Sequence, residues 1–203
     1  MRLYDFHESG NGYKVRLLLS QLGIPHERVE RDILKGETRT PTFLAKNPNG
    51  RIPLLELDDG TRLAESNAIL FFLARGTDVL PEDRLAQAQV LQWMFFEQYS
   101  HEPYVAVVRF WHFAGLAEEK QDEIPARMER GYQALGVALG VMERHLAGQD
   151  FFVGGRYSIA DIALYAYTHV AEEGRFELAR FPRVRAWLAR VAAQPGHVPI
   201  TEL

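Results

Sequence analysis

The 203-residue chain contains no cysteine. That absence excludes a disulfide framework, a thiolate zinc site and a CxxC redox pair belonging to the protein. Any sulfur chemistry would need a thiol brought in by a ligand. No apolar run is long enough to cross a bilayer. The opening MRLYDFHESG reads as a short strand broken by charges and lacks the apolar core of a signal peptide, so a cytoplasmic location is the expectation. Excess positive charge is missing too: the formal net charge is −4, which argues against a basic nucleic-acid-binding face. The 7 histidines show no metal-ligand spacing, so no metal is expected. There are no internal repeats and no low-complexity tracts. What remains is 47% hydrophobic and 25% charged residues, the profile of a folded soluble protein with room for one large domain or two small ones.

The first part of the chain mixes strands and helices. Arg2 to Phe6 reads as a strand, followed by a polar, glycine-containing turn. Val15, Leu18, Leu19 and Leu22 then recur at helical spacing until Gly23 and Pro25 stop the helix. Glu27 to Arg31 reads as a second strand. Pro53 to Leu57 and Thr61 to Leu63 form a hairpin about Asp58-Asp59-Gly60, and a helix runs from Glu65. The order is βαβ, an irregular stretch, then ββα. Gly76 to Asp83, with Pro81, reads as a linker. Beyond it the pattern is helical: a stripe from Leu85 to Phe113, a stretch from Glu118 to Leu146, and shorter helices from about Ser158 and about Phe181. The expected domains are 1–76, α/β, and 84–203, an all-α bundle.

Three segments of the first domain carry chemistry. In Ser9-Gly10-Asn11-Gly12-Tyr13-Lys14 a strand end turns into a helix, whose N-terminus favours an anion. Ser9 and Asn11 can add side-chain donors there, or they can simply cap the helix and form the turn. In Asn47-Pro48-Asn49-Gly50-Arg51-Ile52-Pro53 a proline stands at the mouth of a strand. A cis Ile52–Pro53 bond would leave the Ile52 backbone open to an extended peptide; a trans proline starting an edge strand is the commoner alternative. In Glu65-Ser66-Asn67, Ser66 can meet a carboxylate and Glu65 an ammonium, the two ends of an amino-acid head group, or the pair can be an ordinary helix start.

Together and in this order, the three segments resemble the cytosolic glutathione transferases, and the resemblance covers essentially the whole chain. In that family a thioredoxin-like domain has a catalytic residue at the first strand–helix turn, a proline before the third strand, and a Glu/Asp-Ser pair opening the third helix. Those positions are Ser9, Pro53 and Glu65-Ser66 here. Ser158-Ile159-Ala160-Asp161 matches the family's capping box, and Phe181-Pro182-Arg183-Val184-Arg185-Ala186-Trp187 looks like its C-terminal helix. The turn from Ser9 to Lys14 also resembles the Thr-Pro-Asn-Gly-x-Lys turn of the bacterial nu-class members, where the Thr and Asn positions face the glutathione sulfur. Serine keeps the hydroxyl of that threonine, whereas glycine for proline loosens the turn. Tyr4, inside the strand, and Tyr13, at the helix start, do not match a tyrosine-type catalyst.

The resemblance implies a thioredoxin-like α/β domain joined to an all-helical domain, working as a homodimer, with glutathione as substrate and Ser9 and Asn11 as thiol partners. It places the γ-glutamyl end at Glu65 and Ser66 and the cysteinyl backbone against Ile52, after which comes Pro53. Arg51 and Lys35 are candidates for the glycyl carboxylate, although either can be a solvated surface charge. Tyr104, Phe110, Trp111 and Phe113, with Phe6, are expected to line a pocket between the domains for a hydrophobic electrophile, unless they are core or interface. Attack on such electrophiles is the first function implied; glutathione-dependent disulfide or peroxide reduction and a non-catalytic binding module are the others.

Overall fold

The computed structural model describes residues 1–132 and 138–202. The chain divides into two compact units, Met1–Arg75 together with the C-terminal stretch from Pro195, and Gly76–Gln194.

The first unit is built on a four-stranded sheet in the order β2-β1-β3-β4. β1 (Arg2–Asp5) runs parallel to β2 (Glu27–Glu30), and β3 (Leu54–Glu56) runs antiparallel to both β1 and β4 (Arg62–Ala64). Register aligns Val29, Tyr4, Leu54 and Ala64 across one face. There Phe43 packs edge-on against Tyr4, with ring centroids 6.1 Å apart. Phe43 comes from a single helical turn, α2 (Pro41–Leu44), capped by Thr40 inside the stretch that reads as irregular. One turn is too short to show a period. Leu3 and Leu55 alternate to the opposite face and are fully buried. α1 (Gly10–Gln21) and α3 (Ser66–Ala74) pack on each other.

Glu56 ends β3, an inner strand of this sheet. Its Oε2 accepts from Lys46 Nζ at 2.8 Å and from Arg62 Nε at 2.9 Å. These two cations hold its carboxyl down at about 2, from the usual 4.5. A carboxyl depressed in the folded state contributes stability above its unfolded pKa and loses it as pH falls through the folded value. The melting temperature of the wild type should therefore fall between pH 4.5 and about 2 more steeply than that of Glu56→Gln. Parallel acid melting curves would contradict this.

The C-terminal stretch lies along α1. Tyr13 Oη donates to the Val198 carbonyl at 2.7 Å, Ser20 Oγ to that of Gly196 at 2.9 Å, and Arg16 Nη1 to those of Ile200 and Glu202 at 3.0 Å each. No hydrophobic period marks this stretch, and its fixation rests on carbonyls that the sequence does not display.

The second unit is helical. α4 (Arg84–Phe96) is capped by Asp83, and α5 spans Glu102–Phe113. The stripe from Leu85 to Phe113 is thus not one continuous helix, because a π-helical turn, Glu97–His101, separates the two. Pro103 explains the break: it has no N–H and its ring crowds the carbonyl four residues earlier, so the helix widens just before it. The stretch from Glu118 begins with turns, and α6 (Ile124–Tyr132) holds Pro125 in its first turn, where proline is tolerated. α7 is Leu139–His145; the part of the expected helix at 133–137 lies outside the described residues. α8 (Ile159–Thr168) is buried along its whole length, and α9 is Pro182–Ala192. The core joins Trp93, Phe152 and Trp187, with centroids 4.6 Å apart for the first pair and 5.2 Å for the second. Among the described residues, no helix is long and apolar enough to cross a membrane.

Candidate functional site

The site grows from the end of β1. Ser9 has an extended backbone and is the N-cap of α1; its Oγ accepts the Gly12 N–H at 3.2 Å. This uses an acceptor lone pair, and the hydroxyl proton is a separate donor. Capping and donation to a ligand are therefore compatible roles for one serine.

The turn is tight because Asp5 lies beneath it. A Cβ on residue 12 would fall 1.5 Å from Asp5 Oδ1, so only glycine fits there. Asp5 is fully buried; its Oδ1 accepts the Phe6 N–H at 2.7 Å, and its Oδ2 is 2.9 Å from Arg16 Nε. Burial pushes the Asp5 carboxyl up to about 6 against the pull of Arg16, and the same burial lowers Arg16. Arg16 Nη2 also donates to the His7 carbonyl at 2.6 Å, so strand end, turn and helix are tied as one piece.

Asn11 meets the opening of α3. Its Oδ1 accepts from Ser66 Oγ at 3.1 Å and from Lys14 Nζ at 2.8 Å, and Lys14 Nζ also reaches Ser66 Oγ at 3.4 Å. Both Lys14 and Ser66 are buried. Glu65, the N-cap of α3, has φ +69°, a backbone conformation that costs a non-glycine residue about 1–3 kcal/mol and that clusters at functional sites. Asn49 Nδ2 donates to Glu65 Oε1 at 3.5 Å. The Ile52–Pro53 bond is cis, and among the described residues neither the N–H nor the C=O of Ile52 is taken by a backbone partner. Because β3 pairs with β1, Tyr4 opposite Leu54, Ile52 and Pro53 come to the same end of the sheet as the Ser9 turn.

Of the residues singled out in the sequence, Ser9, Asn11, Ile52, Pro53, Glu65 and Ser66 thus gather at one end of the first unit, and Phe6 is half-buried at the same turn. Lys35 and Arg51 are outside the hydrogen-bonded cluster. Lys35 is exposed and pairs with Asp32 at 2.9 Å; Arg51 is exposed, and its carbonyl accepts from Asn47 Nδ2 at 2.8 Å. In the second unit, Tyr104 and Phe110 are half-buried and Phe113 is exposed. Trp111 is buried, with the Arg127 guanidinium 5.0 Å and the Lys120 ammonium 5.9 Å from its ring centre. Lys14, Asp5 and Asn49 escaped assignment. For Lys14 a signal existed, since it lies one turn from Asn11 and next to the apolar Val15.

Residues 1–75 match the family described as glutathione S-transferase, N-terminal domain, and residues 91–195 match glutathione S-transferase, C-terminal domain. The protein belongs to the glutathione S-transferase family. A glutathione S-transferase from Pseudomonas fluorescens Pf-5 is 55% identical, with a TM-score of 0.95, over 99% of this chain and 98% of that one. A glutathione transferase from Burkholderia graminis, solved with two glutathione molecules bound per subunit, is 30% identical, with a TM-score of 0.81, over 96% of this chain and 84% of that one. The disulfide-bond oxidoreductase YfcG of Escherichia coli K12 is 30% identical over 198 residues, 94% of this chain and 90% of its own length.

Proposed function

We propose that the protein is a glutathione transferase that activates the glutathione thiol at the Ser9–Asn11 turn for attack on small hydrophobic electrophiles. The observation that carries this reading is the hydrogen bond from Ser66 Oγ to Asn11 Oδ1, which joins the turn suited to a thiolate to the pair suited to an amino-acid head group. A ligand with a thiol and an α-amino acid end, joined by a short extended backbone, fits that pairing. In this reading Glu65 holds the ammonium, the Ser66 backbone N–H at the start of α3 the α-carboxylate, and the free N–H and C=O of Ile52 the cysteinyl backbone. Arg51 and Lys35 serve the glycyl carboxylate. Binding of glutathione by the Burkholderia graminis relative supports the choice of ligand. The homodimer expected of the family goes with this reading and is checked by sedimentation.

The electrostatics suffice without a metal or a base. Moving a thiol pKa from about 8.5 to about 6.5 takes about 2.7 kcal/mol. One hydrogen bond to a charged acceptor supplies about 1.5–3 kcal/mol, and a helix N-terminus about 0.3–1 kcal/mol more. The thiolate then attacks an electrophilic carbon, forming a C–S bond as the leaving group departs with its electron pair.

Asn11 and the likeness to YfcG favour a second reading, disulfide reduction. Here the thiolate attacks one sulfur of a disulfide and expels the other as a thiolate. A second glutathione then resolves the mixed disulfide, releasing the remaining thiol and glutathione disulfide. No protein cysteine is needed. Turnover of a chloronitrobenzene-type acceptor favours the first reading, and steady oxidation in a glutathione reductase-coupled assay with a small disulfide favours the second. Both require the same ligand anchor. Ser66→Ala should weaken glutathione binding by about 3- to 10-fold, because it removes the hydroxyl that joins the start of α3 to Asn11 Oδ1. Unchanged affinity by calorimetry would remove Ser66 from the site.

A further inference from the structure

An ammonium group donates hydrogen bonds and accepts none. A terminal carboxamide can turn over, exchanging its oxygen and nitrogen, and its partners decide which way it faces. At Asn11 the partners on one side are both donors: Lys14 Nζ at 2.8 Å and Ser66 Oγ at 3.1 Å. Oδ1 is therefore fixed on that side, and Nδ2, with both N–H donors of the side chain, faces the other way. Lys14 is 0% exposed, and its stem lies one helical turn from Asn11, so the ammonium has little freedom to leave.

We propose that Lys14 is a positioning residue: it sets the polarity of the Asn11 amide and thereby makes Asn11 a donor, rather than an acceptor, toward the substrate sulfur. This rests on the glutathione reading above. A thiolate accepts hydrogen bonds, so an Asn11 facing the other way would present its oxygen and repel it. Lys14 also restricts Ser66. With its oxygen facing the ammonium at 3.4 Å, the Ser66 hydroxyl proton is directed to Asn11 Oδ1.

A rival account has the Lys14 charge acting on the sulfur directly, without Asn11. A double-mutant cycle separates the two. The thiol pKa of bound glutathione is read from thiolate ultraviolet absorbance in wild type, Lys14→Met, Asn11→Ala, the double variant and Lys14→Arg. Lys14→Met should raise the pKa by about one to two units, the share of one hydrogen bond to a charged acceptor. Lys14→Arg, still a donor only, should keep most of the acidity, and the double variant should titrate no higher than Asn11→Ala alone. Additive shifts in the double variant, or an unshifted Lys14→Met, overturn the proposal. Asn11→Asp provides an arm that leaves Lys14 in place: it keeps acceptor oxygens facing Lys14 and Ser66, removes the N–H donors and adds a negative charge. It should bind glutathione without acidifying the thiol, and a thiol still acidified there also overturns the proposal. A wild type that binds glutathione with an unshifted thiol overturns the reading beneath it as well.

Discussion

Gly12→Ala should lower the melting temperature by about 6–12 °C, equivalent to roughly 3 kcal/mol, and abolish measurable glutathione binding. The magnitude follows from where the methyl would go. It would lie 1.5 Å from Asp5 Oδ1 and 2.4 Å from Asp5 Cγ, inside the carboxylate rather than against it. Asp5 is unable to swing clear, being fully buried and held by the Phe6 N–H at 2.7 Å and by Arg16 at 2.9 Å. The start of α1 must retreat from β1 instead, and with it go the Ser9 hydroxyl and the Asn11 amide. Loss of binding is thus coupled to loss of stability through a single contact. The coupling has its own check: in an Asp5→Ala background the same methyl meets no carboxylate, so Gly12→Ala should cost less there than in the wild type. Equal costs in both backgrounds would contradict the steric account.

Asp161→Ala should destabilise the second unit by about 3–5 kcal/mol, a drop of roughly 10–15 °C. Asp161 is 0% exposed, and its two oxygens accept from Phe152 N–H at 3.1 Å, Trp187 Nε1–H at 2.9 Å, Ser158 N–H at 2.9 Å and Ser158 Oγ at 3.1 Å. Alanine leaves these donors buried without an acceptor, and that is where the cost arises. Burial pushes the Asp161 carboxyl up to about 6, so a melt at pH 7.5 compares the variant with the ionised form, in which all four donors are satisfied. Trp187→Phe removes only one donor and should cost about 1 kcal/mol from the hydrogen bond. Thermal melts followed by tryptophan fluorescence test both. A loss of less than 1 kcal/mol in Asp161→Ala would mean that the network is dispensable.

Much of this architecture is legible in the residues. The βαβ–ββα order appears because alternation and helical period are strong in strands and helices of ordinary length. The capping box at Ser158 and Asp161 appears because its two members are three residues apart. The Ser9 turn and the Glu65-Ser66 helix start were visible as local chemistry. What was not visible is long-range. Lys14 lies one turn from Asn11 in the sequence, but its other partner, Ser66, is 52 positions away. The close approach of Gly12 to Asp5 depends on how the helix lies over the strand. The left-handed backbone of Glu65 could not be read either, since glutamate carries no preference for it. The cations over the Trp111 ring, Lys120 and Arg127, lie 9 and 16 positions away and give no sign of the contact in the sequence. The split of the stripe into α4 and α5 was available in principle from Pro103.

The central claim is that the Ser9–Asn11 turn turns a neutral thiol into a thiolate. Its most direct test is the thiolate absorbance of glutathione bound to the wild type, to Ser9→Ala and to Asn11→Ala, followed across pH. A bound thiol titrating about two units below the free value of about 8.5 in the wild type, and returning toward it in one or both variants, is the expected result. A bound thiol with the free pKa in all three proteins, or no bound glutathione at all, would contradict the account.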